Sequence, residues 1–228
     1  MRTFLSGVDD LLHGRGRFAA SAPPAAGLTQ LVVMVLVFGA LTGAVMGSFS
    51  AFAPGRWVLM LYAAVKVPML LMATFLVCLP SFFVVNALVG LREDWSRALA
   101  GIVSTQAALT VVLAALAPVV AFFYVSNVTY DAALVLNGLA FATAVGTAQV
   151  VTMRVYRPLI AANPRHRLML WVWVTLYVFV GIQMAWTLRP FVGAPGAAPA
   201  FFREDAWGNA YVIVARLVGR TVWQLINL

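Results

Sequence analysis

The sequence is poor in the residues that most catalytic and metal sites require. It has one cysteine, two histidines and seven acidic residues among 228. Cys78 cannot form an intramolecular disulfide, and no cluster of cysteine and histidine is present to bind a metal ion. The HExxH pattern, paired carboxylates within an apolar run and a glycine-rich phosphate loop are also missing. We therefore expect no catalytic residue, no metal site and no cofactor, and we expect that the protein is not an enzyme.

Charged residues are also scarce, at 10% of the chain, whereas hydrophobic residues make up 63% and the mean hydropathy is +0.95. A soluble domain is nearer half apolar and a quarter charged. The composition predicts an all-α, polytopic helical membrane protein. We expect about five transmembrane helices together with interfacial amphipathic helices.

The net charge is +8, which in a soluble protein would suggest nucleic-acid binding. Here the basic residues stand in short segments between apolar runs, a distribution typical of membrane topology signals and of contact with anionic headgroups. The expected partners are the lipid bilayer and anionic lipids, together with other membrane subunits or further copies of the chain. Nucleic acid is not expected.

The chain divides into three parts. Residues 1–27 form a cytoplasmic or interfacial N-terminal segment, 28–188 a five-helix transmembrane domain, and 189–228 an extracytoplasmic loop and an amphipathic C-terminal helix. Apolar residues recur at helical spacing in the first part, which indicates a short helix on the membrane surface. In the last part Arg216, Arg220 and Gln224 form a polar stripe, and we favour a surface position over a spanning one.

Five apolar runs are long enough to cross a hydrocarbon core of about 30 Å. They cover about residues 28–49, 67–91, 98–124, 132–153 and 168–188. We favour a separate interfacial helix before the second run. The alternative is one long broken helix that begins at Trp57 and places Lys66 inside the membrane. Pro80 is expected to kink the second span, and a basic loop that includes Arg154 and Arg157 is expected after the fourth.

Orientation follows from the distribution of basic residues. With the N-terminus inside, the cytoplasmic side holds nine of them and the opposite side six, so we expect a cytoplasmic N-terminus and an external C-terminus. Arg92 and Arg97 flank Glu93 and Asp94 after the second span, and we interpret this group as salt bridges within a loop.

Three glycines in the first span, Gly39, Gly43 and Gly47, stand four residues apart and share one helix face. Such a face lets a second helix approach closely. We favour packing within one chain over a subunit interface, and both remain open.

Neutral polar residues lie inside the apolar runs, where an ion-coupled transporter usually carries an ionisable residue. They either line a polar pathway or hydrogen-bond across helices, the more frequent role, at about 0.6 to 2 kcal/mol each. The candidates for a pathway are Gln106, Asn137, Gln149 and Gln183.

Several short phrases resemble a family of bacterial multi-pass proteins that is similar to the Yip1-type membrane proteins. The resemblance covers roughly residues 28–212 and implies a five-span helical fold in a bacterial cytoplasmic membrane. It implies no substrate. The phrases are Lys66-Val67-Pro68, Cys78-Leu79-Pro80-Ser81, Gln183-Met184-Ala185-Trp186, Leu188-Arg189-Pro190-Phe191-Val192-Gly193 and Phe202-Arg203-Glu204.

The leading functional hypothesis is a non-catalytic subunit, scaffold or structural component of a larger membrane assembly. The alternative is a homo-oligomeric channel or small-solute pathway. Large side chains after the fifth span are exposed unless a partner covers them, which makes them candidates for a partner surface. These candidates are Arg189, Phe191, Phe201, Phe202 and Trp207.

Overall fold

The structure is a computed structural model that describes residues 2–13, 27–51, 54–126, 128–203 and 208–212. Within these ranges all regular structure is helical, and five of the helices are long and apolar enough to cross a membrane. The predicted all-α, multi-pass membrane fold is confirmed. The helices are α1 (Arg2–His13), α2 (Leu28–Gly47), α3 (Val58–Leu88), α4 (Trp95–Val125), α5 (Tyr130–Ala162) and α6 (Arg165–Leu188), with short 3-10 turns at Ser48–Ser50 and Arg92–Asp94.

The five long helices alternate in direction, so the bundle has two distinct ends. One end, which we call the loop end, holds the segment 189–203 that follows α6. The other, which we call the basic end, holds the short turns between α3 and α4 and between α5 and α6. The arginines of these turns and of the adjoining helix ends are Arg92, Arg97, Arg154, Arg157, Arg165 and Arg167.

Helix α4 is the centre of the bundle. It packs against α2 and α5, and every residue from Gly101 to Val111 is buried. Its buried hydroxyl groups donate to carbonyls in the preceding turn: Ser104 bonds to Ala100 at 2.9 Å and Thr105 bonds to Gly101 at 2.9 Å. These bonds satisfy polar groups that neither lipid nor a neighbouring apolar side chain can satisfy.

The glycine face of α2 packs against α3 of the same chain. A Cβ atom on Gly43 would collide with the Ala63 carbonyl oxygen, and one on Gly47 would collide with that of Leu59. A Cβ on Gly39 would meet Pro68 at 3.4 Å. The glycines therefore serve the close approach of two helices within one chain, which was the favoured interpretation of their spacing.

Two elements differ from the sequence-based expectation. Helix α3 is one helix from Val58 to Leu88, rather than an interfacial helix followed by a span, and it includes Lys66. Its first half is held as helix by packing on α2, and that tertiary contact outweighs the polar signal of the lysine. Helix α5 continues to Ala162, so Arg154 and Arg157 are helical rather than part of a loop.

Helix α1 is present as predicted and packs against the basic end. Gly7 and Leu11 are buried, and the Arg154 guanidinium donates to the Leu12 carbonyl at 2.7 Å. The C-terminal polar stripe of Arg216, Arg220 and Gln224 lies outside the described residues.

Substituting alanine at Gly43 tests the close approach of α2 and α3. We expect Gly43→Ala to destabilise the protein by about 1–3 kcal/mol, because the added methyl group collides with backbone atoms of α3. The matched control is Gly146→Ala on α5, where a Cβ meets no atom within 4 Å. Thermal unfolding in mild detergent measures both. Equal stability of the two variants would contradict this packing.

Candidate functional site

The helix bundle is open between α5 and α6. Helix α6 packs mainly on α3 and α5 mainly on α4, and the two make few contacts with each other. In the most apolar 18-residue stretch of each helix, 17% of α6 and 22% of α5 is buried inside the protein, against 44% in each of α2, α3 and α4. A cleft therefore lies between α5 and α6.

The cleft has a volume of about 680 Å³, within the range of roughly 300–1,000 Å³ typical of small-molecule sites. Its floor is formed by α3 and α4 and its sides by α5 and α6. One glycine on each side, Gly138 on α5 and Gly181 on α6, contributes no side chain to the cleft. The apolar residues of the lining include Leu70, Leu71, Leu109, Leu134, Phe141, Val145, Val178, Ile182 and Ala185.

Few polar groups line the apolar body of the cleft. The Tyr177 hydroxyl donates to the Gln106 side-chain oxygen at 2.8 Å, and the Asn137 amide donates to the Ala133 carbonyl at 2.7 Å and to the Tyr124 hydroxyl. The buried Thr74 hydroxyl has no hydrogen-bond partner within the described part of the chain. The body of the cleft therefore suits an apolar group.

The loop end of the cleft is positively charged. Arg189 and Arg203 both line it, and no acidic side chain does so among the described residues. The Arg189 guanidinium lies 3.3 Å from the centroid of the Trp186 ring, a cation–π arrangement. Arg203 is exposed and has no hydrogen-bond or ion-pair partner within the ranges that the structure describes. The cleft thus combines an apolar body with a basic end.

The segment 189–203 is held against the bundle by Arg56. Its guanidinium donates to the Ala194 carbonyl at 2.7 Å, to the Ala197 carbonyl at 2.5 Å and to the Ser50 carbonyl at 3.1 Å. The Ser50 hydroxyl in turn donates to the Gly193 carbonyl at 2.9 Å. Because guanidinium donors are charged, these bonds are stronger than neutral ones.

Lys66 holds the same segment from within α3. The side chain is fully buried, its Nζ donates to the Pro190 carbonyl at 2.9 Å, and it lies 4.8 Å from the centroid of the Phe201 ring. A carbonyl oxygen and an aromatic face therefore stabilise the ammonium group in place of a carboxylate. Lys66 and Arg56 together fix the chain that carries Arg189 across the loop end of the cleft.

The predicted partner-surface residues have different surroundings. Arg189 and Phe191 line the cleft. Phe201 is half-buried and its ring packs edge-on against Tyr62 at 5.2 Å, whereas Phe202 is exposed. Trp207 lies outside the described residues.

The four polar residues proposed for a pathway are not brought together. Gln106 bonds to Tyr177, and Gln183 bonds to the Gly208 carbonyl and the Ala210 amide, each at 3.0 Å. Gln149 is half-buried on α5, and only Asn137 of the four lines the cleft. The hydrogen bonds of Gln106 and Asn137 join helices, the more frequent role of such residues.

A polar contact at the basic end was missed from the sequence. His166 Nε2 and Asp94 Oδ2 are 3.1 Å apart, and His166 is fully buried beside the Tyr156 ring. The sequence predicted loop salt bridges for Glu93 and Asp94, and Arg97 does approach Asp94 at 4.0 Å. Nothing in the sequence pairs residue 94 with residue 166. Among the described residues no group of three or more histidine, cysteine or acidic side chains is placed to hold a metal ion.

Comparisons with family models, with curated proteins and with solved structures gave no match. The resemblance to Yip1-type proteins therefore stays a prediction.

Replacing Arg56 tests how the segment 189–203 is held. We expect Arg56→Gln to raise amide hydrogen exchange in residues 190–203 at least tenfold, because the charged donors to Ala194 and Ala197 are lost. Arg167→Gln, an exposed arginine at the basic end, is the matched control. Unchanged exchange in the Arg56 variant would show that this side chain does not anchor the segment.

Proposed function

We propose that this protein is a non-catalytic integral membrane protein that holds one amphipathic molecule in the cleft between α5 and α6. The observation that carries the proposal is the cleft itself, which has an apolar body of about 680 Å³ and two arginines at one end. Such a shape accepts a molecule with an apolar part and a polar head.

The position of the cleft favours a molecule that arrives from the bilayer. The flanking helices expose large apolar side chains, among them Leu139 on α5 and Phe179 on α6, each about 60% exposed. In a membrane such side chains face lipid tails, and so does the opening between them.

The lining chemistry supports holding rather than transformation. The described lining residues include no histidine, cysteine or carboxylate. The Tyr177 hydroxyl is already engaged with Gln106, and the Asn137 amide with Ala133 and Tyr124. The Thr74 hydroxyl is unpaired, but no histidine or carboxylate stands in the described lining to take its proton. A hydroxyl nucleophile needs such an adjacent base.

Membership of a larger membrane assembly is the second proposal, and an open face of α5 supports it. Ala142 and Gly146 stand four apart, are exposed and do not line the cleft. A Cβ on Gly146 would meet no atom within 4 Å, in contrast with the occupied glycine face of α2. A helix from a partner, or from a second copy, would approach closely along this face. The accompanying proposal for location is a bacterial cytoplasmic membrane with the basic end inside, supported by the arginines of that end.

A bulky side chain at Gly138 tests the cleft. We expect Gly138→Phe to reduce the amount of co-purified amphipathic molecule at least fivefold, because the ring occupies space in the cleft. Gly146→Phe is the control, since it makes the same change on the same helix outside the cleft lining. Mass spectrometry of protein purified in mild detergent measures retention. Equal retention by both variants, or none by the wild type, would contradict the proposal.

The same variants test the assembly proposal by a different readout. If the open face of α5 binds another helix, Gly146→Phe should convert a larger particle in mild detergent into the free 24.5 kDa chain. Light scattering coupled to size exclusion measures the protein mass. A monomeric wild-type chain would contradict the proposal.

A further inference from the structure

We infer that the molecule in the cleft is an anionic phospholipid, with an acyl chain between α5 and α6 and its phosphate at Arg189 and Arg203. This inference rests on the proposed function, because it names the chemical class of the molecule that the cleft holds. Three observations carry it: the depth of the cleft, the charge at its end and the fixed position of Arg189.

The depth of the cleft matches one leaflet of a bilayer. On this side the lining begins at Tyr177 of α6 and continues to Arg189 directly after the helix, about 18 Å at 1.5 Å per residue. Half of a hydrocarbon core of roughly 30 Å is about 15 Å. A tail that reaches Tyr177 therefore places its headgroup at the level of the two arginines.

The charge at the end of the cleft favours an anion. Both charged residues of the lining are arginines, whose guanidinium groups bind phosphate oxygens with two parallel hydrogen bonds. Asp131 at the start of α5 is exposed at this end of the bundle but does not line the cleft. A zwitterionic headgroup brings a cation to the same place, whereas an anionic headgroup does not.

Arg189 lies on chain that is fixed in position. Arg189 stacks on Trp186, and the next residue, Pro190, accepts the hydrogen bond from Lys66. Tryptophan and arginine are side chains that occupy the interface between hydrocarbon and headgroups. This end of the cleft is therefore built at the depth where a phospholipid carries its phosphate.

The apolar body of the cleft favours a lipid over a free anion. A phosphate ion bound by the two arginines alone would leave the apolar lining without a partner.

The test uses the full chain in vesicles of equal amounts of phosphatidylglycerol and phosphatidylcholine with identical acyl chains. The protein is extracted in mild detergent, and native mass spectrometry counts the bound lipid. We expect one phosphatidylglycerol per chain, in several-fold preference to phosphatidylcholine. Arg203→Gln and Arg189→Gln should each lower that preference about fivefold, Arg203→Lys should largely keep it, and Arg167→Gln at the basic end should leave it unchanged.

The outcomes separate this inference from the proposed function. Retention of both lipids without preference, sensitive to Gly138→Phe, would overturn the anionic headgroup and leave the cleft proposal standing. No retained lipid in the wild type would overturn both. Binding of added inorganic phosphate by a chain that retains no lipid would show a phosphate site without an acyl chain, and would likewise overturn the inference. A stable dimer that lacks lipid would assign the cleft to a second copy. If Arg203→Gln does not fold, the headgroup preference of the wild type and of Arg203→Lys decides.

Discussion

The close approach of α2 and α3 is the contact on which the rest of the bundle depends. Gly43 and Gly47 bring the two backbones so near that a methyl group has no room between them. Because this pair also packs on α4 through α2, three helices form a tight group. Helix α6 is then left on the far side of α3, and α5 on the far side of α4. The gap between α5 and α6 is a consequence of that order.

The polar interactions at the loop end hold the segment 189–203 in place at this end of the gap. Lys66 lies in the first half of α3 and Arg56 lies in the turn before that helix. Both side chains donate hydrogen bonds to carbonyls of the segment 189–203. The segment therefore takes its position from the same helix that the glycine face fixes. In this way one packing contact between α2 and α3 determines where Arg189 stands relative to the cleft.

Much of the fold was predictable from the sequence, because spanning helices need long apolar runs and leave few alternatives. The helix ends were not, since α3 and α5 extend past their apolar runs into segments with Lys66, Arg154 and Arg157. The cleft was not predictable either, because its lining comes from five helices and the segment 189–203, whose relative positions depend on side-chain packing. The partner of Lys66 could not be predicted from the sequence, because Pro190 lies 124 residues away in the chain.

The turn between α5 and α6 gives the cleft its shape. Only Asn163 and Pro164 separate the two helices, and the Asn163 side chain accepts a hydrogen bond from the Arg165 amide at 3.1 Å. The helices are thus tied at the basic end, whereas the cleft is lined by their halves nearer the loop end. Two helices that are tied at one end enclose a space that is narrow near the turn. Such a space accommodates a thin, flexible chain more readily than a rigid, broad ring system.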